Sequence, residues 1–311
     1  MDQFFLKLSP SKSALTLTHG DAIGLIGSCF SDEIAKKLKN AGHLVQSNPW
    51  GTLFHPTAMA YQLLDCFNND LDQRIFERNG LYYSWNTSTL IHGTTKESVQ
   101  QQLLALKQAF HSFIKNSKIL IVTFGSAWGY ELKEDQQLVA NCHKMPSQLF
   151  DKFLSSPYEL VQDWVLVLEK LQELNPTINV VFTVSPVRHI KDGIVENNLS
   201  KARLIEAVHQ LSYEPNCAYF PSYELVIDVL RDYRFFKEDR VHPSAEAINF
   251  VWNHFEKTFF DDTTIALNRS VEKVNQMKLH KATQNIEQHL ALIKNKEAEL
   301  SQTNANIVWM E

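Results

Sequence analysis

The chain has 311 residues, 44% of them hydrophobic and 21% charged, with a formal net charge of -5. That is enough apolar material for one large α/β domain or a domain with an appendage, and the acidic balance offers no basic field for nucleic acid or an anionic membrane. Neither partner is expected, and the four cysteines (Cys29, Cys66, Cys142 and Cys217) lack a C-x-x-C pair, which argues against a disulfide scaffold or a structural zinc cage.

Met1 to Pro10 carries Asp2 and Lys7 in a mixed stretch, so it lacks the apolar core of a signal peptide. No window reaches the apolar length of a membrane span. The expected compartment is the reducing cytoplasm. Ala22–Ile26 reads as a buried strand, and Ser31–Lys39 follows as a helix with Ile34, Ala35 and Leu38 on one face. A short second strand is expected before Gly51, and Pro56–Phe67 is a second helix. Arg74–His92 alternates aromatic and polar residues around Asn79-Gly80, the pattern of a hairpin inserted beside the main sheet. Ser98–Phe113 is helical, Lys118–Phe124 a strand, Pro157–Leu174 a helix ending before Pro176, and Ile178–Val184 a strand. A helix over Ser200–Leu211 and a weaker strand at Cys217–Phe220 complete the alternation, and Pro243 suits the first turn of a helix through Ala247, Val251 and Phe255. Strands separated by crossover helices predict a parallel sheet.

From Ala266 onward, Leu267, Val271, Val274, Ile286, Leu290, Ile293 and Leu300 recur at helical spacings. This is one long polar helix or two shorter ones, packing back on the body or against another subunit of a homo-oligomer. The organisation is thus an α/β domain over residues 1–262 and a helical tail over 263–311.

Two places carry chemistry. Gly27-Ser28-Cys29-Phe30-Ser31 joins a strand to a helix, where unpaired N–H groups and the helix dipole favour a thiolate or an oxyanion. Far along the chain, Asp239-Arg240-Val241-His242-Pro243 places a carboxylate three residues before an imidazole. That spacing lets Asp239 hold one ring nitrogen of His242 and leave the other free as a base.

The start Gly27-Ser28-Cys29-Phe30, with Asn48-Pro49-Trp50-Gly51, Thr123-Phe124-Gly125-Ser126-Ala127-Trp128, Ala140-Asn141-Cys142-His143-Lys144, Ser185-Pro186-Val187-Arg188-His189 and Asp239-x-x-His242-Pro243, resembles the GSCFA domain family of the SGNH (GDSL-like) hydrolase superfamily. The resemblance covers about residues 20–260. It implies a flavodoxin-like three-layer α/β/α fold and a superfamily chemistry of acyl ester hydrolysis or acyl transfer, without naming the substrate; a small-molecule or carbohydrate acyl substrate and no cofactor are expected, and Cys29, Cys142, His143 and His189 lack the compact spacing of a metal site. The superfamily's usual Gly-Asp-Ser start puts the nucleophile two places after glycine, so register favours Cys29, with Ser28 as the alternative. A thiol at a helix N-terminus beside a histidine is expected to shift toward neutral pKa. For the oxyanion hole the resemblance implies the nucleophile's own N–H and Gly51. The asparagine usual after the next strand is replaced by Ala127, which leaves Asn141 or Asn48 as substitutes. His189 with Arg188 on the sheet rim, together with His143 and Arg234, are the candidate substrate contacts. The remaining readings are a binding or scaffolding protein without turnover, and a redox sensor built on Cys29.

Overall fold

The computed structural model describes residues 6–67, 74–279 and 285–310. Five parallel strands form the main sheet in the order β11-β10-β6-β1-β2: β1 is Ala22–Gly27, β2 Leu44–Ser47, β6 Ser117–Phe124, β10 Asn179–Val184 and β11 Cys217–Tyr219. Register centres on Thr123, which lies opposite Gly27 on one side and Thr183 on the other. All strands run the same way, so their carboxyl ends share one rim, where ligand sites of open α/β sheets collect.

Successive side chains of a strand point to opposite faces, and the sequence exploits this. Leu120, Val122 and Phe124 of β6 join Val180, Phe182 and Val184 of β10 in one core, covered by α2 (Pro56–Phe67), α3 (Lys96–Lys115), α4 (Pro157–Leu174) and α5 (Ile194–Leu211). Ile119, Ile121 and Val181 face the other core, under α1 (Cys29–Asn40) and α7 (Ala245–Phe259). The result is the expected three-layer α/β/α arrangement. Trp164 and Trp252 are among the largest fully buried side chains, one in each core. Truncating either to alanine is expected to cost about 3–5 kcal/mol.

Two three-stranded sheets decorate the body. β3 (Ile75–Arg78), β4 (Leu81–Ser84) and β5 (His92–Gly93) form the expected hairpin, with Asn79 at φ 53 and Gly80 at φ 77 in its turn. β7 (Trp128–Leu132), β8 (Leu138–Val139) and β9 (Phe150–Leu154) form another, in the stretch between β6 and α4 to which the sequence reading assigns no element. Its two-residue β8 is too short to show alternation.

Some boundaries move. α5 begins at Ile194 rather than near Ser200, because its first two turns carry Ile194, Val195 and Leu199 on the exposed side and hide the apolar period. A short α6 (Ser222–Glu224) runs into a π-helical stretch, Leu225–Leu230. Pro243 lies before α7 rather than in its first turn: Ser244 is the N-cap, its side chain accepting the Ala247 N–H, and Pro243 bridges back to Phe236.

The tail forms two helices, α8 (Asp262–Leu279) and α9 (Ile286–Thr303), and the stretch between them lies outside the described residues. α8 packs on the body through Val271, Val274 and Asn268, whose Oδ1 meets the His43 ring at 2.9 Å. The segment after α9 returns to the body, where Val308 N–H donates to Gly42 O at 2.9 Å. Among the described residues no helix is long and apolar enough to cross a membrane.

Candidate active site

The rim of the sheet begins with a glycine the fold cannot replace. Gly27 sits at φ +132, and a Cβ there would lie 2.2 Å from Thr123 O, inside the neighbouring strand. The chain then turns on Thr123 O, which accepts the Ser28 N–H at 3.2 Å. Ser28 is fully buried and is the N-cap of α1; its Oγ accepts the Phe30 N–H at 3.3 Å. Its hydroxyl is therefore turned into the helix end, and half-buried Cys29 is the first residue of the helix. A side-chain network fixes this turn from behind. Asn48 accepts the Gly27 N–H at 2.8 Å through Oδ1 and donates to Asp32 Oδ1 at 2.9 Å, while Thr52 Oγ1 donates to Asp32 Oδ2 at 3.3 Å.

Between the last 3-10 turn and α7, the chain closes into a tight loop. Lys237 N–H donates to His242 O at 2.7 Å and Ser244 N–H to Phe235 O at 2.7 Å. Within it, Asp239 Oδ2 lies 2.7 Å from His242 Nδ1, and Asp239 Oδ1 accepts the N–H groups of Val241 at 2.8 Å and His242 at 3.0 Å. These main-chain donors, with the imidazole, hold the Asp239 carboxyl well below the usual carboxylate range. Nδ1 is engaged by the carboxylate, which leaves Nε2 for chemistry.

Cys29 and His242 line one narrow cleft of about 30 Å³, shared with Glu33, Val187 and Lys237. A much larger cavity, about 510 Å³, lies elsewhere, lined by Tyr61, Glu131, Glu159 and Asp163, and contains neither. The small cleft is the one that Cys29 and His242 share. Burial raises the Cys29 thiol above its ordinary value, and the carboxylates of Asp32 and Glu33 raise it further; its own N–H and Lys201 act in the opposite direction and do not win. The expected shift toward neutral pKa is thus corrected: burial is the largest cause, and Asp32 in the first turn of α1 and Glu33 just after it add to it. Cys29 is protonated at rest.

The remaining sequence candidates separate. Gly51 sits at φ +74, pressed against Ser88, and its N–H donates to Asn48 O at 2.8 Å, so a turn already engages this donor. Asn48 serves the network behind the Gly27–Cys29 turn. Asn141 Oδ1 accepts the His143 N–H at 2.6 Å, and fully buried His143 packs edge-on against Phe76 and Trp85, with Nε2 2.9 Å from Ser84 O. This pair belongs to the satellite sheets and not to the cleft. Burial pushes the His143 imidazole down to about 4.

Arg188 is a clamp. Its guanidinium stacks over Phe236 at 4.1 Å and Tyr233 at 5.1 Å, its Nη1 donates to Arg240 O at 3.4 Å, and its N–H donates to Val241 O at 3.2 Å. These contacts tie the loop after β10 to the histidine loop. Arg234 is exposed and pairs with Asp232 at 3.1 Å. His189 stays close to the site: its ring meets Phe54 edge-on at 5.1 Å, and burial, then the charges of Lys201 and His242, push it down to about 3.

Sequence reasoning missed Asp32 and Lys201. Lys201 is buried in α5, where its spacing from Leu204, Val208 and Leu211 puts an ammonium on the apolar stripe. That register was the available signal.

The sequence model of the GSCFA family matches residues 22–255. The chain belongs to the GSCFA family. Its match spans both the nucleophile turn and the histidine loop and stops short of the helical tail. No curated protein sequence matches the chain. Similar solved structures include a GDSL-like lipase from Parabacteroides merdae, 13% identical with a TM-score of 0.42 over 83% of this chain and 100% of that one. A family 3 carbohydrate esterase from Talaromyces cellulolyticus is 8% identical, TM-score 0.37, over 80% and 98%. An acetyl xylan esterase from Butyrivibrio proteoclasticus is 9% identical, TM-score 0.41, over 77% and 63%. At these identities and scores the likeness carries no chemistry to this GSCFA chain.

Proposed function

We propose that this GSCFA protein is an SGNH-like hydrolase or acyltransferase that works through a covalent acyl-enzyme on Cys29. One observation carries the reading: Cys29 and His242 face one cleft while Asp239 holds His242 by Nδ1 at 2.7 Å. Because the resting thiol is protonated, His242 Nε2 takes the Sγ proton as Sγ attacks the acyl carbonyl, rather than beforehand. The Cys29 N–H at the start of α1 faces the oxygen that gains charge. The tetrahedral intermediate collapses, His242 returns the proton to the departing oxygen or sulfur, and an acyl thioester remains. Water releases it in a hydrolase; an acceptor hydroxyl or amine releases it in a transferase. The substrate class is an acylated small molecule or carbohydrate.

Intact-mass spectrometry with short acyl esters and thioesters tests this. An adduct that maps to Cys29 supports the reading, and absence of any adduct or turnover across the panel removes it. A second reading, a binding protein that keeps the fold without turnover, is favoured by the Gly51 N–H and Asn48 amide being engaged internally. Equal background rates in native protein and His242→Ala would select it.

A further inference from the structure

The cleft that Cys29 and His242 share has apolar walls. Phe30 of α1, Val187 of the loop after β10, Pro243 and Ile248 of α7 line it, and all four are buried. The remaining lining groups, Glu33 and Lys237, are charged and reach solvent, as does His242, whose side chain is 42% exposed. The cleft is thus apolar within and polar at its mouth.

Its walls are fixed from several sides. Phe30 and Val187 pack in the second core with Trp252 and Phe255. Arg188 ties the Val187 segment to the histidine loop, through its N–H to Val241 O at 3.2 Å and its stacking on Phe236, to which Pro243 also bridges. Ile248 is held in the first turns of α7, its N–H donating to Ser244 O at 3.0 Å. A close-packed interior does not take up added methylenes without strain. The cleft's volume of about 30 Å³ has room for about two water-sized groups.

We propose that this cleft restricts the acyl group accepted by Cys29 to the size of acetyl or propionyl, with Val187 and Ile248 setting the limit. Orientation follows from the chemistry. The leaving atom must meet His242 Nε2 to take a proton, which puts the leaving group at the polar mouth and the acyl substituent against the apolar walls. The methyl of an acetyl group, with its carbonyl oxygen turned to the Cys29 N–H, uses the space there is, whereas a butyryl chain has to displace Val187 or Ile248. This size limit rests on the acyl-enzyme reading of Cys29 and adds to it which acyl groups are taken.

The test is kcat/KM of the full-length protein on p-nitrophenyl acetate, propionate, butyrate and hexanoate. A fall of about 10-fold or more between propionate and butyrate is expected, and Val187→Ala, Ile248→Ala and the milder Ile248→Val are each expected to raise the butyrate-to-acetate ratio, the alanine variants by about 10-fold. Equal or rising values up to hexanoate overturn the limit and leave the acyl-enzyme standing. A native fall that no folded variant relieves overturns the assignment to Val187 and Ile248. The limit is also read without turnover, from the rates at which methyl, butyl and hexyl methanethiosulfonate form a disulfide with Cys29, followed by peptide mass and referred to the same reagents on glutathione. Loss of butyl and hexyl labelling in a protein that turns over no ester keeps the size limit at Cys29 and removes the acyl-enzyme reading. Labelling that follows glutathione across the series overturns the limit.

Discussion

Asp239 fixes His242 twice: Oδ2 lies 2.7 Å from the ring Nδ1, and Oδ1 takes the main-chain N–H of the same residue at 3.0 Å. Asp239→Asn keeps the shape, but an amide facing Nδ1 no longer selects the tautomer with a basic Nε2. The expected loss in kcat/KM on a short acyl ester is about 10²- to 10⁴-fold. An unchanged value would remove Asp239 from the mechanism.

Ser28 and Cys29 are adjacent but do opposite jobs. Ser28→Ala removes the N-cap of α1 and is expected to cost about 1 kcal/mol in chemical denaturation while leaving acyl-adduct formation intact. Cys29→Ala is expected to abolish the adduct with stability nearly unchanged. The reverse pattern would transfer the nucleophile to Ser28.

Five imidazoles lowered by burial, His19 among them, set the acid side of stability. His43 and His189 are lowered to about 3, and His55 and His143 to about 4, with burial as the largest cause in each. A histidine depressed on folding stabilises the native state above its unfolded value of about 6.5, and that contribution is lost as pH falls toward the folded value. Glu256, raised to about 7 by burial, has the opposite sign: its contribution is full below the unfolded carboxylate value and is lost as pH rises through 7. Melting temperature is therefore expected to fall from pH 6.5 to pH 4. Calorimetry showing a flat or rising Tm over that interval would contradict the burial of neutral histidines.

Two glycines at positive φ give a paired test of the nucleophile turn. Gly27→Ala drives a methyl against Thr123 O and is expected to cost more than about 3 kcal/mol, whereas Gly80→Ala meets nothing within 4 Å and costs about 1 kcal/mol. Equal effects in urea titrations would show that the turn relaxes around the added carbon.

The sequence carried the architecture because burial in two cores leaves clear periods. Pro56–Phe67 and Pro157–Leu174 begin and end where their prolines, caps and apolar stripes place them. The strand-to-helix turn at Gly27 and the spacing of Asp239 and His242 point to the two segments of the candidate site, but not to how their residues are used. Arg188 reads as an anion site and is a clamp on Phe236 because partners distant in sequence decide what a guanidinium touches. His143 follows Asn141 and reads as a site residue, yet the β3–β5 hairpin encloses it. The Cys29 thiol departs from the shift a helix terminus favours because burial, which depends on the fold, and the carboxylates of Asp32 and Glu33 outweigh that terminus.

The two sides of the cleft come from opposite ends of the family segment: Cys29 opens the first helix, and His242 waits just before α7. During synthesis the thiol emerges long before its base, and it stays without a proton acceptor until α7 docks beside α1 in the second core. Under the proposed mechanism, completion of the domain is what brings Cys29 to its proton acceptor, and a chain interrupted before the histidine loop carries the thiol without it.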